Sequence, residues 1–170
     1  MEKKDNIKKR IDEIYDNTVE IRRDLHMHPE LSEHEVRTAD TIRGYLSRWG
    51  IEHRCGVAGN GIVAWIEGRK PPQGDLLFRG VGIRADMDAL PVKELADVPF
   101  RSANEGVMHA CGHDIHTAMA LGSARILKEM ESEFSGAVKF FFQPSEETVG
   151  GAERMIAEGC LLDPPVDAVA

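Results

Sequence analysis

Three histidines and a cysteine fall within M-H-A-C-G-H-D-I-H, residues 108–116. Such a cluster has three readings: a metal site, a reactive thiol, or the polar start of an ordinary helix. His109, Cys111 and His113 alternate, so in an extended segment their side chains share one face. A thiolate and an imidazole two residues apart can then reach a common ion or ion pair. Those donors suit Zn²⁺, Co²⁺ or Ni²⁺, and added carboxylates widen the choice to Mn²⁺. A helical pattern begins near Asp114, and its positive end is expected to lower the thiol pKa. His109 alone reads as a non-ligand. His116, one turn beyond His113, reads as a supporting or packing residue.

Two carboxylate pairs can complete such a site. Glu146 and Glu147 follow the apolar run F-F-F-Q-P. Adjacent carboxylates at a buried strand end repel each other and cost desolvation unless something positive is near. In a turn their side chains diverge, so one can bind a metal while the other holds an attacking water. A solvated surface pair is the bland alternative, weakened by the apolar strand before it. Asp86 and Asp88, in R-A-D-M-D-A-L-P, also alternate. One can touch a metal and the other can orient a ligand imidazole through its N–H.

These residues need elements to hold them. Ile7, Ile11, Ile14, Ile21 and Leu25 mark one face of a helix that must end before Pro29. Ser32 and Glu35 read as a capping box, with Leu31 and Val36 as its hydrophobic staple. The helix that follows turns Val36, Ala39, Ile42, Leu46 and Trp49 inward and ends at Gly50. The period then changes to that of strands. I-E-H-R-C and G-I-V-A-W-I-E-G flank a glycine-rich turn, K-P-P-Q-G-D is a loop, and 76–86 reads as a central strand. Residues 92–107 read as a loop and His113 to Met130 as a helix. Ala137 to Phe142 reads as a strand covered on both faces. Gly150 and Gly151 open a short helix closed by Gly159, and D-A-V-A begins another strand. Helices alternating with buried strands imply an α/β sandwich with a mostly parallel sheet, whose sites form at strand carboxyl ends.

The bulk numbers agree. The chain has 170 residues, 42% hydrophobic and 29% charged, with a formal charge of −8. That suits a soluble globular domain and argues against nucleic acid, which needs a basic face. No apolar run is long enough to span a membrane. The start, M-E-K-K-D-N-I-K-K-R, has no apolar stretch of a secretory signal. Three scattered cysteines, Cys55, Cys111 and Cys160, fit a reduced cytoplasmic protein without disulfides.

Four segments together resemble the M20 metallopeptidase family, in its amidohydrolase branch of hippurate hydrolases, N-acyl-amino-acid amidohydrolases and auxin-conjugate hydrolases. They are R-R-D-L-H-M-H-P-E-L-S (22–32), R-A-D-M-D-A-L-P (84–91), M-H-A-C-G-H-D-I-H-T-A-M (108–119) and F-Q-P-S-E-E-T-V-G-G-A (142–152), in the family's order. The resemblance implies a three-layer α/β sandwich with a mostly parallel mixed sheet, the fold of a zinc-peptidase catalytic domain. It implies Cys111, His113 and Glu147 as metal ligands, with Cys111 able to bridge two ions. Glu146 would be the general base, and Asp88 would orient a ligand or the metal pair. Asp86 stands where many members carry a histidine ligand. His26 and His28 read as hydrogen-bonded structural histidines rather than a separate metal site.

Members of that family are more than twice as long and carry two further histidine ligands. Residues 1–170 are therefore expected to be the N-terminal part of an incomplete catalytic domain, without the inserted dimerisation domain and the C-terminal part. The implied full-length form holds two divalent ions (Zn, Mn, Co or Ni), acts on small N-acyl amino acids, and is a homo-oligomer with no nucleic-acid or membrane partner. The expected reaction is hydrolysis of the amide by a metal-activated water. Alternatives are a small-peptide metallopeptidase of the same fold, or an inactive fragment. The branch is favoured by Cys111, where peptidase members generally have aspartate. A third scheme, Cys111 as nucleophile, leaves the Glu146–Glu147 pair without a purpose.

Overall fold

The computed structural model describes residues 2–71, 80–148 and 150–170. The N-terminal amphipathic repeat forms α1 (Glu2–Met27), which ends just before Pro29 as expected. Ile14, Ile21 and Leu25 are buried, but Ile7 and Ile11 are 39% and 45% exposed. The reason is length. The second long helix, α3 (His113–Glu129), runs antiparallel to α1, with Asp114 beside His26 and Glu129 beside Arg10. The first turns of α1 therefore project past the end of α3. Where the two helices cross, Gly122 lets them approach closely: a Cβ there would lie 3.2 Å from Thr18 Oγ1.

Helix α2 (Val36–Arg48) forms, with Ile42 and Leu46 fully buried, but not by the expected start. Glu35 makes no capping bond and Val36 is exposed. The first-turn N–H groups of Arg37 and Thr38 donate instead to the Glu30 carboxylate, at 3.0 and 2.8 Å. Ser32 and Glu35 are used elsewhere, at the site.

Five strands form one mixed sheet in the order β1-β2-β4-β3-β5. They are β1 (Glu52–Val57), β2 (Gly61–Glu67), β3 (Gly80–Asp86), β4 (Ala137–Gln143) and β5 (Ala168–Val169). The hairpin β1–β2 and the β2–β4 pair are antiparallel, whereas β3 pairs parallel with β4 and β5. The central strand is β4, not the strand ending at Asp86, which lies between β4 and the two residues of β5. Residues 72–79, covering most of the expected 70–75 loop and the start of that strand, lie outside the described residues.

Every residue of β4 is buried, because both sheet faces are covered. Val138, Phe140 and Phe142 meet Ile62, Ala64, Ile66 and Ala85 under α1, α2 and α3. On the other face Phe141 packs with Val63, Met155 and Cys160 beneath the short helix α4 (Gly151–Ala157). The three layers of the expected sandwich are thus present. Lys139 shares that second face; its ammonium donates to the main-chain oxygens of Cys160 and Leu162, which follow α4. Among the described residues no helix is long and apolar enough to cross a membrane.

Candidate metal centre

The parallel strands β3 and β4 end side by side, with Met87 N donating to Gln143 O at 3.0 Å. Asp86 and Asp88 leave from one strand, and Glu146 and Glu147 from the turn after the other. Ser145 enters that turn with φ 53°, a left-handed value, and the two glutamates diverge, Glu147 towards His113 and Glu146 towards Arg84. The turn is anchored from below by Glu35. Its carboxylate is fully buried and accepts Ser145 N at 2.8 Å and Asn60 Nδ2 at 3.0 Å.

The third contributor is the segment entering α3. Gly112 has φ 82° and is the helix N-cap, so the 109–113 segment turns there rather than running straight. The alternation therefore does not hold. Cys111 and His113 converge with Glu147, one donor atom from each lying within 4.8 Å of the others, while His109 is turned away beside the His26 ring, 6.5 Å between centroids. Both His109 ring nitrogens are buried and lack a hydrogen-bond partner among the described residues. Burial pushes its pKa down to about 4.

His113 is held in one tautomer. Its Nδ1 donates to the Asp88 main-chain oxygen at 2.8 Å, which leaves the Nε2 lone pair free for an ion. The buried Asp88 carboxylate lies 3.3 Å from the same Nδ1 and accepts Ser32 Oγ at 2.7 Å and Glu147 N at 3.0 Å. Burial opposes its ionisation, but these donors outweigh it and hold its pKa well below the usual carboxylate range. Burial likewise pulls His113 down, yet the Asp88 bonds and the Asp86 charge leave its pKa raised.

The thiol does not behave as the helix-end argument expects. Cys111 precedes the N-cap, and the Glu147 carboxylate against it pushes its pKa up, with Glu146 and Asp88 adding to the effect. Three nearby negative charges outweigh one helix end. Only a cation among these donors would reverse that balance. The donor set fits one. Glu147 Oε1 is buried with no hydrogen-bond partner among the described residues, and thiolate, imidazole and carboxylate together suit a divalent transition ion.

A second grouping, Asp86, His113 and His116, also has donor atoms within 4.8 Å of one another. It shares His113 Nε2 with the first, and one lone pair serves one ion. Asp86 is moreover engaged by the Arg84 guanidinium at 2.5 Å and by Thr117 Oγ1, which donates to its main-chain oxygen at 2.9 Å. His116 stacks on the His113 ring, 5.6 Å between centroids, and is half exposed. Glu146 stands apart from both groupings at the site's edge, 3.9 Å from Arg84. Sequence reasoning passed over Arg84, whose guanidinium pairs with Asp86 and lies 3.9 Å from Glu146. It also passed over Ser32 and Glu35, whose S-x-x-E spacing pointed to a helix cap. His26 and His28 are hydrogen-bonded: His26 to Asp114 and Glu94, and His28 to the main-chain oxygen of Asp24.

Residues 82–170, just over half the chain, match the model of peptidase family M20/M25/M40. The chain belongs to that family. Among M20 relatives, it is 42% identical over 159 residues to the N-acyl-L-amino acid amidohydrolase of Geobacillus stearothermophilus, covering 93% of this chain and 41% of the relative. It is 43% identical over 160 residues to thermostable carboxypeptidase 2 of Saccharolobus solfataricus, covering 92% and 39%. Its fold superimposes with TM-score 0.84 and 40% identity on the Bacillus subtilis YXEP protein, a dinuclear metal binding peptidase of the M20 family, over 93% of this chain and 42% of that one. The chain thus spans about two fifths of the length of these relatives.

Proposed function

We propose that the protein is a metal-dependent amidohydrolase that cleaves the amide bond of N-acyl amino acids. The observation that carries this reading is the convergence of Cys111, His113 and Glu147 beside a separate, accessible carboxylate, Glu146. In this reading Cys111, His113 and Glu147 would hold a divalent ion of the Zn, Mn, Co or Ni type. The ion supplies Lewis acidity, which makes water a nucleophile near neutral pH and stabilises charge on the carbonyl oxygen.

The remaining steps belong to the side chains. Asp88 keeps the His113 ring oriented and its Nδ1 protonated. A Glu146 carboxylate oxygen takes a proton from the attacking water and returns it to the amine nitrogen as the C–N bond breaks. Arg84, between Asp86 and Glu146, holds the base at the site's edge. N-acyl amino acids are supported as substrates by the Geobacillus amidohydrolase. The Saccharolobus carboxypeptidase supports a second reading, a peptidase acting on small peptides with the same ligands and base. A panel of N-benzoyl and N-acetyl amino acids beside dipeptides separates the two.

Elemental analysis and turnover together test the site. Stoichiometric metal should vanish in Cys111→Ser. Glu146→Ala should keep the metal and lose hydrolysis, since the base is not a ligand. Loss of metal in Glu146→Ala shows that the roles of Glu146 and Glu147 are exchanged. Full turnover in Glu146→Ala removes the base from the mechanism.

A further inference from the structure

The ligand segment is pinned at both ends, and one pin is a buried ionic cluster outside the metal centre. At its start, Met108 and Leu90 exchange main-chain hydrogen bonds of 3.0 Å. At its end, Asp114, the residue after His113, is fully buried and bonds to His26 Nδ1 at 2.7 Å. The other His26 nitrogen, Nε2, lies 3.0 Å from Glu94 Oε1, also buried. Glu94 Oε2 accepts Ser102 N at 2.6 Å, which fixes the loop at 92–107. Arg22 Nε adds an ion pair to Asp114 at 2.8 Å. Arg22 Nη2 is also 3.2 Å from His26 Nδ1, but the shorter Asp114 contact takes that proton.

His26 therefore joins three separate pieces of chain: the end of α1, the 92–107 loop and the first turn of α3. Both ring nitrogens face carboxylate oxygens, and the His26 ring and the Arg22 guanidinium together meet two buried carboxylates. The Phe100 ring stands edge-on to His26 at 5.7 Å and closes the cluster from outside. Between the two pins lies only Cys111-Gly112-His113 with its neighbours, bent at Gly112. The His113 ring is fixed by its Nδ1 bond to the Asp88 main-chain oxygen, and the two pins set where the main chain carrying Cys111 and His113 lies.

We propose that His26 is a positioning residue of the metal centre: through Asp114 it holds the Cys111–His113 segment in the geometry that binds the ion. This rests on the metal-centre reading above. A side chain that merely stabilises the fold would change melting but not the affinity of the folded molecule. Oriented supports behind metal ligands typically change affinity by about 10–100-fold.

The test uses Co²⁺, whose thiolate charge-transfer absorption reports coordination by Cys111. Affinity is read by competition with a chelator in the wild type, in His26→Gln, and in Ile126→Ala, a core variant in a cluster away from the site. Gln can reach only one of the two carboxylates. The expected result is a folded His26→Gln with about 10–100-fold weaker Co²⁺ binding and an altered absorption band, and an Ile126→Ala with destabilisation but wild-type affinity. If His26→Gln does not fold, Glu94→Gln keeps the volume and the Ser102 bond and is expected to weaken Co²⁺ by about tenfold. Unchanged affinity and spectrum in a folded cluster variant overturn the positioning role and leave the metal centre standing. A wild-type chain that binds no Co²⁺ overturns the metal centre and the positioning role with it.

Discussion

Glu35→Ala offers the sharpest test of how the glutamate turn is held. The Glu35 carboxylate is fully buried between α2 and the β4 end. It accepts from Ser145 N at 2.8 Å and from Asn60 Nδ2 at 3.0 Å, and Ser145 is itself fully buried. A hydrogen bond to a charged group contributes about 1.5–3 kcal/mol, and a buried N–H left without an acceptor costs about 1–3 kcal/mol. Relief of the carboxylate's own desolvation offsets part of this. The net loss for Glu35→Ala is about 3–4 kcal/mol, a large share of the 5–15 kcal/mol that roughly bounds domain stability. Glu35→Gln retains an acceptor for Ser145 N but turns its amide NH2, a donor, towards the Asn60 amide, which also donates to Glu33 O. Its expected cost is about 1–2 kcal/mol. Urea unfolding followed by the fluorescence of Trp49 and Trp65 measures both, provided the denaturant slope stays constant. An alanine variant costing less than about 1 kcal/mol, or equal costs for the two variants, refutes the assignment of this carboxylate as the anchor of the turn.

Two further perturbations probe the elements around it. A Cβ on Gly151 would sit 1.7 Å from Pro144 O, directly behind the glutamate turn. Gly151→Ala should cost about 3 kcal/mol and lower the melting temperature by on the order of 10 °C in a thermal scan; an unchanged Tm would show that the turn yields freely. Burial holds the Lys139 pKa below its ordinary 10.5. Between the lowered folded pKa and 10.5 the unfolded state binds more protons, so stability gains with rising pH in that window. The stability difference between wild type and Lys139→Met should therefore shift in favour of wild type as alkaline pH increases. Parallel unfolding curves across that range would contradict it.

The periodic parts of the molecule were legible because burial follows pattern. Phe140 and Phe142 face one layer and Phe141 the other, as a doubly covered strand requires. What misled was local chemistry with two outlets. The S-E-H-E spacing at Ser32 and Glu35 suits a helix cap, yet Asp88 and Ser145, more than fifty residues away in sequence, are the stronger partners. A buried carboxylate left by that choice is satisfied, and Glu30 takes over the cap. Glu94 offered no signal at all: it lies in an aperiodic loop, and only the fold places His26 beside it. Likewise, the alternation of His109, Cys111 and His113 assumed an extended chain, whereas in the fold Cys111 and His113 meet Glu147 and His109 lies beside the His26 ring.

The distribution of satisfied and unsatisfied oxygens explains why the centre is specific. Four carboxylates surround His113 and Cys111, and such a group is stable only if each charge is met. Asp88 is met by Ser32, the Glu147 N–H and the His113 ring; Asp86 is met by Arg84 and stands near His116. Glu146 is exposed, so water screens it. Asp86 Oδ1, Asp88 Oδ1 and Glu147 Oε1 are each buried without a hydrogen-bond donor among the described residues; the Glu147 oxygen is the one grouped with Cys111 and His113, and its main-chain N–H supports Asp88. The Glu147 carboxylate raises the Cys111 pKa. Replacing Glu147 with Gln would remove that charge, so the thiol pKa should fall back towards its ordinary value while affinity for a divalent ion drops. These two changes run in opposite directions for thiolate formation, which is the signature of a residue that acts on the ion itself and not through the thiol. Thiol titration by alkylation rate and Co²⁺ titration of the same variant read them separately; affinity that rises with the thiolate fraction in Glu147→Gln would show that this oxygen is not a ligand.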